Sequence, residues 1–513
     1  MNQTNEVKPE SEPVREPRDW NIRYWPADIT FAYLVYKTWW FKFLLAAISG
    51  LLLVISFPPF GYGLFGWVAL VPLLIAVFTS PSQRSAALCG VLAGAVFYSV
   101  ALSFLMGVFG LFGLVLGNLL SLYLAIFAVS CWLTAARVGL GRSFILIPVF
   151  WTAVEFFRSE CYTLKFPWLS LGYSQAGLHP LIQICDICGV YGLSFILMAV
   201  NALIAWFILE RLRKRRWAIT YLSGALVIFL AVLLYGWSKE GYQPPYQRPA
   251  LKTDIPVAVV QEWIGSVDRY IKTTSEVVNS RRETLVVWPE ACLQNALSTP
   301  ETRSLIEALV KDKKLYLVFG SVEPTEEVVR FHNYAVVFSP EGEEIGRYAK
   351  RVPVQFIETV VRPGDKWGIF DTRLGKMGLL ICYEVGFSYI ARTIVRRGAE
   401  FLVVPTLEVG SWGGLSHQIH ASMIPFRAVE TRRPVLRSTA LGISMIINPS
   451  GEIIGQLGYL ASGVLRAEIT KETKLTFYVK YGYLFPKICL WFYGVAFLVV
   501  GGFIFLINRI RKI

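Results

Sequence analysis

Met377-Gly378-Leu379-Leu380-Ile381-Cys382-Tyr383-Glu384 is a short apolar run that halts on a thiol and two polar residues. Its length suits a buried strand better than a helix, and a reactive side chain at its end sits where open α/β sheets usually place chemistry. Similar β-branched runs recur on either side of it, at 255–260, 284–288, 315–319, 334–338, 401–405 and 442–447. Turn residues or helix-like stretches such as 302–311 and 417–431 separate them. That alternation predicts an α/β domain with a covered sheet over residues 245–475.

Beyond this segment the composition changes. The 513 residues are 54% hydrophobic and only 17% charged, well outside the balance of a soluble domain. Apolar runs long enough for a bilayer helix fall at 41–57, 62–79, 85–107, 111–136, 143–160, 189–209, 217–237 and 487–508. The expectation is therefore a polytopic α-helical membrane protein with about eight spans, seven within 41–240 and one at 487–508, carrying the α/β insert between the last two.

Basic residues set the orientation, because Lys and Arg in short loops stay cytoplasmic. Lys8, Arg15, Arg18, Arg23 and Lys37 precede the first span, Arg84 lies in the second loop and Arg137 and Arg142 in the fourth. Arg211, Arg213, Lys214, Arg215 and Arg216 fill the sixth, and Arg509, Arg511 and Lys512 follow the last span. Both termini, residues 1–40 and 509–513, are thus expected in the cytoplasm and the insert on the far side. The first 30 or so residues lack the apolar core and cleavage site of a removable signal.

The formal charge of +14 comes with no zinc-finger, helix-turn-helix or basic-aromatic pattern, so nucleic acid is not an expected partner. The eight cysteines are scattered and suggest no disulfide framework. Cys185 and Cys188 form a C-x-x-C beside a span with no partner pair, and read as packing. His417 and His420 stand three apart but no third ligand sits at metal-site spacing, so neither metal nor cofactor is expected. Glu155 and Arg158 lie near the end of the fifth span, to pair there or to let Arg158 reach the headgroups.

Three strand ends of the insert each deliver a titratable group: Glu290 after Trp288-Pro289, Lys350 after Tyr348-Ala349, and Cys382. An acyl-transferring cysteine needs a base to take its proton and a cation to stabilise the thiolate and the later oxyanion. Glu290 and Lys350 supply both, with the Tyr383 N–H as a second oxyanion donor. Singly, each residue is more often a core thiol, a turn or a solvated amine; together, in this order, they make a candidate catalytic set.

The insert resembles the carbon-nitrogen hydrolase (nitrilase) superfamily in Trp288-Pro289-Glu290, in Tyr348-x-Lys350 with Phe356-x-Glu358, and in Ile381-Cys382-Tyr383-Glu384. The whole chain is similar to the bacterial apolipoprotein N-acyltransferase family, through Phe166-Pro167-Trp168-Leu169, Gly172-Tyr173-Ser174-Gln175, Ser411-Trp412-Gly413, Arg427-Ala428-x-Glu430, Arg433-Pro434, Arg437-Ser438-Thr439-Ala440 and Thr476-Phe477-Tyr478. The resemblance implies an α-β-β-α sandwich and acyl transfer, by way of a Cys382 thioester, from a phospholipid such as phosphatidylethanolamine to the diacylglyceryl-cysteine of a lipoprotein at the outer face of the inner membrane. It implies Glu358 as the residue orienting Lys350, and Tyr383 and Glu384 as shaping the pocket. Trp412 and Tyr270 are candidate substrate contacts. Two departures stand out: 352–358 lacks the family's Leu-Val-Pro-Phe-Gly-Glu pattern, and Thr406-Leu407-Glu408 replaces Thr-Asn-Asp, with Glu408 expected toward solvent. A membrane-tethered amidase, in which water discharges the thioester, is the alternative.

Overall fold

A computed structural model describes residues 30–161, 165–213, 215–240, 254–278, 282–327 and 329–510. Lys8, Arg15, Arg18, Arg23, Lys214, Arg511 and Lys512, used above for orientation, lie outside the described residues.

Six helices among the described residues are long and apolar enough to cross a bilayer: Trp39–Ser56, Gln83–Ala101, Leu111–Val138, Leu140–Cys161, Cys185–Leu212 and Ile219–Lys239. The expected spans at 62–79 and 487–508 fall on shorter apolar stretches, Gly63–Phe78 and Leu484–Leu498, the latter opening a helix that continues to Ile510. The first of these is broken by Pro72 near the start of helix Val71–Phe78. Buried side chains satisfy the backbone freed by the break, as a lipid environment demands. Asn201 Oδ1 accepts from Leu70 N (2.8 Å), its amide donates to Gly66 O (3.0 Å), and Ser49 Oγ accepts from Leu73 N (2.7 Å). Cys185 and Cys188 are free thiols in one helix.

Among the described residues the insert holds thirteen strands: β1 (Ile255–Gln261), β2 (Thr284–Val287), β3 (Leu293–Gln294), β4 (Leu315–Pro324), β5 (Phe331–Phe338), β6 (Glu344–Ala349), β7 (Ile369–Thr372), β8 (Gly375–Leu379), β9 (Phe401–Thr406), β10 (Val435–Thr439), β11 (Ser444–Ile447), β12 (Ile453–Leu457) and β13 (Gly463–Ile469). One sheet runs β13-β1-β2-β4-β5-β6 with β3 beside β4, and the other β12-β11-β10-β9-β8-β7. Period-2 alternation sorts their side chains. Val257, Val259, Leu285 and Val287 meet Met377, Leu379, Val403 and Leu436 between the sheets, while Ala258, Val260, Val286 and Leu317 face helices Val267–Val277 and Pro300–Lys313.

On the second sheet the outward residues Leu380, Leu402 and Val404 join one core with helices Ser388–Arg396 and Ile424–Thr431 and with the membrane helices. The sandwich is thus an α-β-β-α arrangement whose lower helix layer is continuous with the membrane half. Buried polar struts pin this junction. Arg427 pairs with Glu430 (2.9 Å), reaches Tyr173 Oη (3.2 Å), and Glu430 accepts from Val190 N (3.0 Å) at the kink of helix Cys185–Leu212. A buried pair of this kind is weak evidence for stability, but losing either partner is costly because it strands the other charge.

Candidate active site

Glu290, Lys350 and Cys382 come from three different strand ends and converge. Glu290 follows β2 in a turn seated against Gly320 of β4, where an added Cβ would fall 2.5 Å from Glu290 Cα. Lys350 is the residue after β6, and Cys382 opens the 3-10 turn Cys382–Gly386 three residues beyond β8, with φ of 49°. A left-handed backbone at a residue other than glycine is costly and concentrates at functional sites, and here it turns the thiol out of the strand direction.

Lys350 Nζ donates to Glu290 Oε1 (2.8 Å) and to both oxygens of Glu358 (2.9 and 2.8 Å). Asn333, in the middle of β5, donates its amide to Glu290 Oε1 (2.7 Å) and Glu358 Oε1 (3.3 Å). The Leu407 peptide ties acid to thiol: its N–H donates to Glu290 Oε2 (2.7 Å) and its carbonyl accepts from Cys382 Sγ (3.5 Å). Glu290, Lys350 and Cys382 are 2%, 1% and 6% exposed, so the charges act in a low dielectric. Burial raises the Glu290 carboxyl above its ordinary range, against the pull of Lys350. Burial also works against the charge on Lys350, but the Glu290 and Glu358 carboxylates hold its affinity for the proton above the ordinary value. Burial pushes the Cys382 thiol well up, Glu290 adds to this and Lys350 opposes it. The resting state is therefore a thiol beside a carboxylate of raised basicity, able to exchange one proton, with an ammonium fixed alongside to meet negative charge on sulfur or on an acyl oxygen.

The other expected residues take distinct places. Glu384 accepts from Ile381 N (2.7 Å), Arg351 N (2.6 Å) and Tyr348 Oη (3.0 Å), so it braces the lysine segment against the cysteine turn rather than lining the pocket; burial lifts its carboxyl to about 7. Tyr383 and Trp412 line the cavity beside Cys382. Tyr270 does not. Its ring is wholly buried against Trp288 and its hydroxyl donates to Glu262 O (3.0 Å), because the apolar face of helix Val267–Val277 turns it into the core. Glu408 is not solvated either: it is 3% exposed, paired with Arg437 (2.7 Å) and hydrogen-bonded to His420 Nδ1 (2.8 Å). Arg158 is buried rather than snorkelled, donating to Trp168 O (3.0 Å), and Glu155 accepts from Leu171 N (2.6 Å); both grip one loop instead of each other. Among the described residues no group of three His, Cys, Asp or Glu could hold a metal.

A cavity of about 480 Å³ extends from this site toward the membrane helices, within the range of ligand pockets. Cys382, Tyr383, Trp412 and His420 line it together with Leu102, Leu105, Val108, Phe109, Leu116 and Leu120, and 354–357 of the divergent segment supplies one wall.

Residues 257–476 match the carbon-nitrogen hydrolase family model and residues 49–203 the apolipoprotein N-acyltransferase N-terminal domain. The apolipoprotein N-acyltransferase of Geobacter metallireducens is 32% identical, with 87% of this chain and 93% of the relative covered. The chain belongs to the apolipoprotein N-acyltransferase family. Its relative from Chlorobaculum tepidum is 26% identical over 90% of this chain and 96% of that protein. Among solved structures, the nitrilase-superfamily protein Nit3 of Saccharomyces cerevisiae aligns at 23% identity and a TM-score of 0.37, over 43% of this chain and 92% of that one. An amidase from Nesterenkonia aligns at 20% identity, again at 0.37, over 44% of this chain and 94% of its own length.

Sequence reasoning missed Asn333, the Leu407 peptide, Arg437 as the partner of Glu408, and the stacking of Trp168 on His420 (ring centroids 5.3 Å apart). Asn333 left a trace, as the one amide in the run Phe331-His332-Asn333-Tyr334-Ala335-Val336-Val337-Phe338. The Leu407 role is carried by backbone and leaves none.

Proposed function

We propose that this family member transfers a fatty acyl chain from a phosphatidylethanolamine-like phospholipid to the α-amino group of a diacylglyceryl-cysteine lipoprotein, by way of a thioester on Cys382. Glu290 takes the thiol proton and returns it to the departing lysophospholipid oxygen. Lys350 stabilises the thiolate and then, with the Tyr383 N–H, the oxyanion of each tetrahedral intermediate. Glu358 fixes the Lys350 ammonium, and Trp412 and Tyr383 bound the acyl chain. The chain sits in the inner membrane with the α/β domain, 245–475, on the periplasmic side and both termini in the cytoplasm, as the alternation of basic loops supports.

One observation carries the reading: the cavity at Cys382 opens onto leucines of the membrane helix Leu111–Val138 and onto Leu102, Leu105, Val108 and Phe109 in the turn that leads into it, a lining complementary to an acyl chain and unnecessary for a small polar amide. Incubating the purified protein with a phospholipid labelled in its acyl chain should produce a hydroxylamine-sensitive mass increase on the Cys382 peptide, absent in Cys382→Ser. Hydrolysis of simple amides by a wild-type protein that takes up no acyl group would replace this reading with the amidase one.

A further inference from the structure

This inference rests on the proposed transfer to an amine, whose proton balance one base does not close. Near neutral pH an α-amino group, with an ordinary pKa of about 7.7–8.0, arrives largely as an ammonium. When acyl–S–Cys382 becomes an amide, the C–S bond breaks and a C–N bond forms. Of the three ammonium protons one stays on the amide nitrogen, one passes through Glu290 to the Cys382 sulfur, and the third needs another acceptor. Water, attacking the same thioester, brings no third proton.

A second acceptor faces the same cavity. Glu408 follows β9, Arg437 lies on β10 and His420 on helix Gly413–Ala421; all three are buried. Glu408 Oε1 is 2.8 Å from His420 Nδ1 and 2.7 Å from Arg437 Nη2. Its Oε2 fits against Gly442, where a Cβ would come within 1.6 Å, so glycine there leaves room for this side chain. At Nδ1 the carboxylate can only accept and Arg437 Nη2, 3.2 Å away, can only donate; the shorter contact, to Glu408, assigns the proton to Nδ1 and the lone pair to Nε2. That atom is buried and makes no hydrogen bond of ordinary geometry, on a ring that lines the Cys382 cavity, stacks on Trp168 and lies against the Cys382 backbone. Buried polar atoms are normally paired, and one left unpaired on a ring at the edge of a substrate cavity points to a donor that arrives with the substrate.

We propose that His420 Nε2 accepts the first proton of the incoming α-ammonium, delivering the free amine to the thioester and later releasing the proton to water. The titratable and charged groups facing the ring are Glu408, Arg437, the Cys382 turn and, one helical turn away, His417. Burial holds the imidazole below its ordinary value, so it waits neutral. Desolvation lowers an ammonium carried into the same cavity as well, which keeps the transfer within reach.

Full-length enzyme is loaded with a labelled acyl chain, freed of donor, and chased either with a diacylglyceryl-cysteinyl peptide or with hydroxylamine, which is already neutral at pH 7. His420→Gln should form the acyl-enzyme, discharge to the peptide roughly 10²-fold more slowly at pH 7, recover toward wild type as the pH rises past the pKa of the amine, and keep the wild-type rate with hydroxylamine. Glu408→Gln, whose amide donates to Nδ1 and moves the ring proton to Nε2, should reproduce the pattern. A loss independent of pH, an equal loss with hydroxylamine, or no loss overturns the assignment and leaves His420 a packing residue. A wild-type protein that is never acylated overturns the proposed function and this inference together.

Discussion

Two buried charged clusters flank Cys382, and they differ in how completely they are satisfied. In the first, Glu290 engages Lys350 and Asn333 through Oε1 and the Leu407 N–H through Oε2, and Lys350 reaches both oxygens of Glu358, so the charged groups are paired and the open atom is the neutral Asn333 Oδ1. In the second, Glu408 Oε2, His420 Nε2 and Arg437 Nε are buried with no partner. The first sets two carboxylates against one ammonium and is a proton short, which is what a base needs. The second sets one carboxylate against one guanidinium, and its spare capacity lies on a neutral ring. Burying charge is costly unless each group is paired, so the closed cluster reads as machinery fixed before substrate arrives and the open one as machinery that substrate completes.

Removing the shared cation should break this contrast most severely. Lys350→Met leaves the buried Glu290 carboxylate beside the half-buried Glu358 with no cation between them, a loss on the scale of about 3–5 kcal/mol unless they capture a proton. A captured proton disables Glu290 as a base, and the oxyanion loses a donor worth about 10²–10³ in rate. Acyl-enzyme formation, followed as release of lysophospholipid, should therefore fall by at least about 10³-fold while the melting temperature in detergent drops little. A decrease under tenfold would show that the ammonium is not at the reacting carbon.

A smaller effect separates the clusters by pH. Burial alone would raise the Glu408 carboxyl, but Arg437 and the His420 hydrogen bond overcome it and hold the group at about 2, against an ordinary 4.5. The native state thus binds fewer protons than the unfolded chain between these values. Its contribution, up to about 3 kcal/mol, is present above pH 4.5 and drains away as the pH falls toward 2. Glu290 is shifted upward and acts in the opposite direction, so the informative quantity is the difference between wild type and Glu408→Gln in unfolding free energy from pH 6 to 3. That difference should shrink steadily with acid. A constant gap means that the pair with Arg437 does not form.

How much of this was legible before the fold depended on whether a residue works through its own side chain in a local pattern. Glu290, Lys350 and Cys382 each close a β-branched run, and strand periodicity marks such ends; the apolar runs likewise announced the membrane helices. The expected span at 62–79 was read too simply, because the composition of Gly63–Phe78 is that of a span while the backbone break there is stabilised by Asn201 and Ser49 from other helices. Glu408 was misplaced for a related reason. A carboxylate after a strand is ordinarily solvated, and only the sandwich topology brings Arg437 of β10 and His420 over it. Tyr270 looked like a substrate contact, but it shares with Val267 and Ile271 the i, i+3, i+4 stripe of helix Val267–Val277, the face that packs on the core.

The finest test addresses what closes the first cluster. Asn333 donates one amide to both carboxylates, Glu290 Oε1 at 2.7 Å and Glu358 Oε1 at 3.3 Å, and its own Oδ1 has no partner. Its contribution is thus geometric: it holds apart two like charges that share Lys350. Asn333→Leu removes a hydrogen bond to a charged group, worth about 1.5–3 kcal/mol, of which only the part that misdirects Glu290 appears in the rate; acylation should slow about tenfold. Asn333→Asp changes almost no volume but adds a third carboxylate where a donor stood, and like-charge repulsion should then lift the pH at which acylation becomes half-maximal. If the aspartate variant shows the leucine variant's modest slowing without any upward displacement of its pH profile, Asn333 serves the packing of β5 and the closed character of the cluster lies elsewhere.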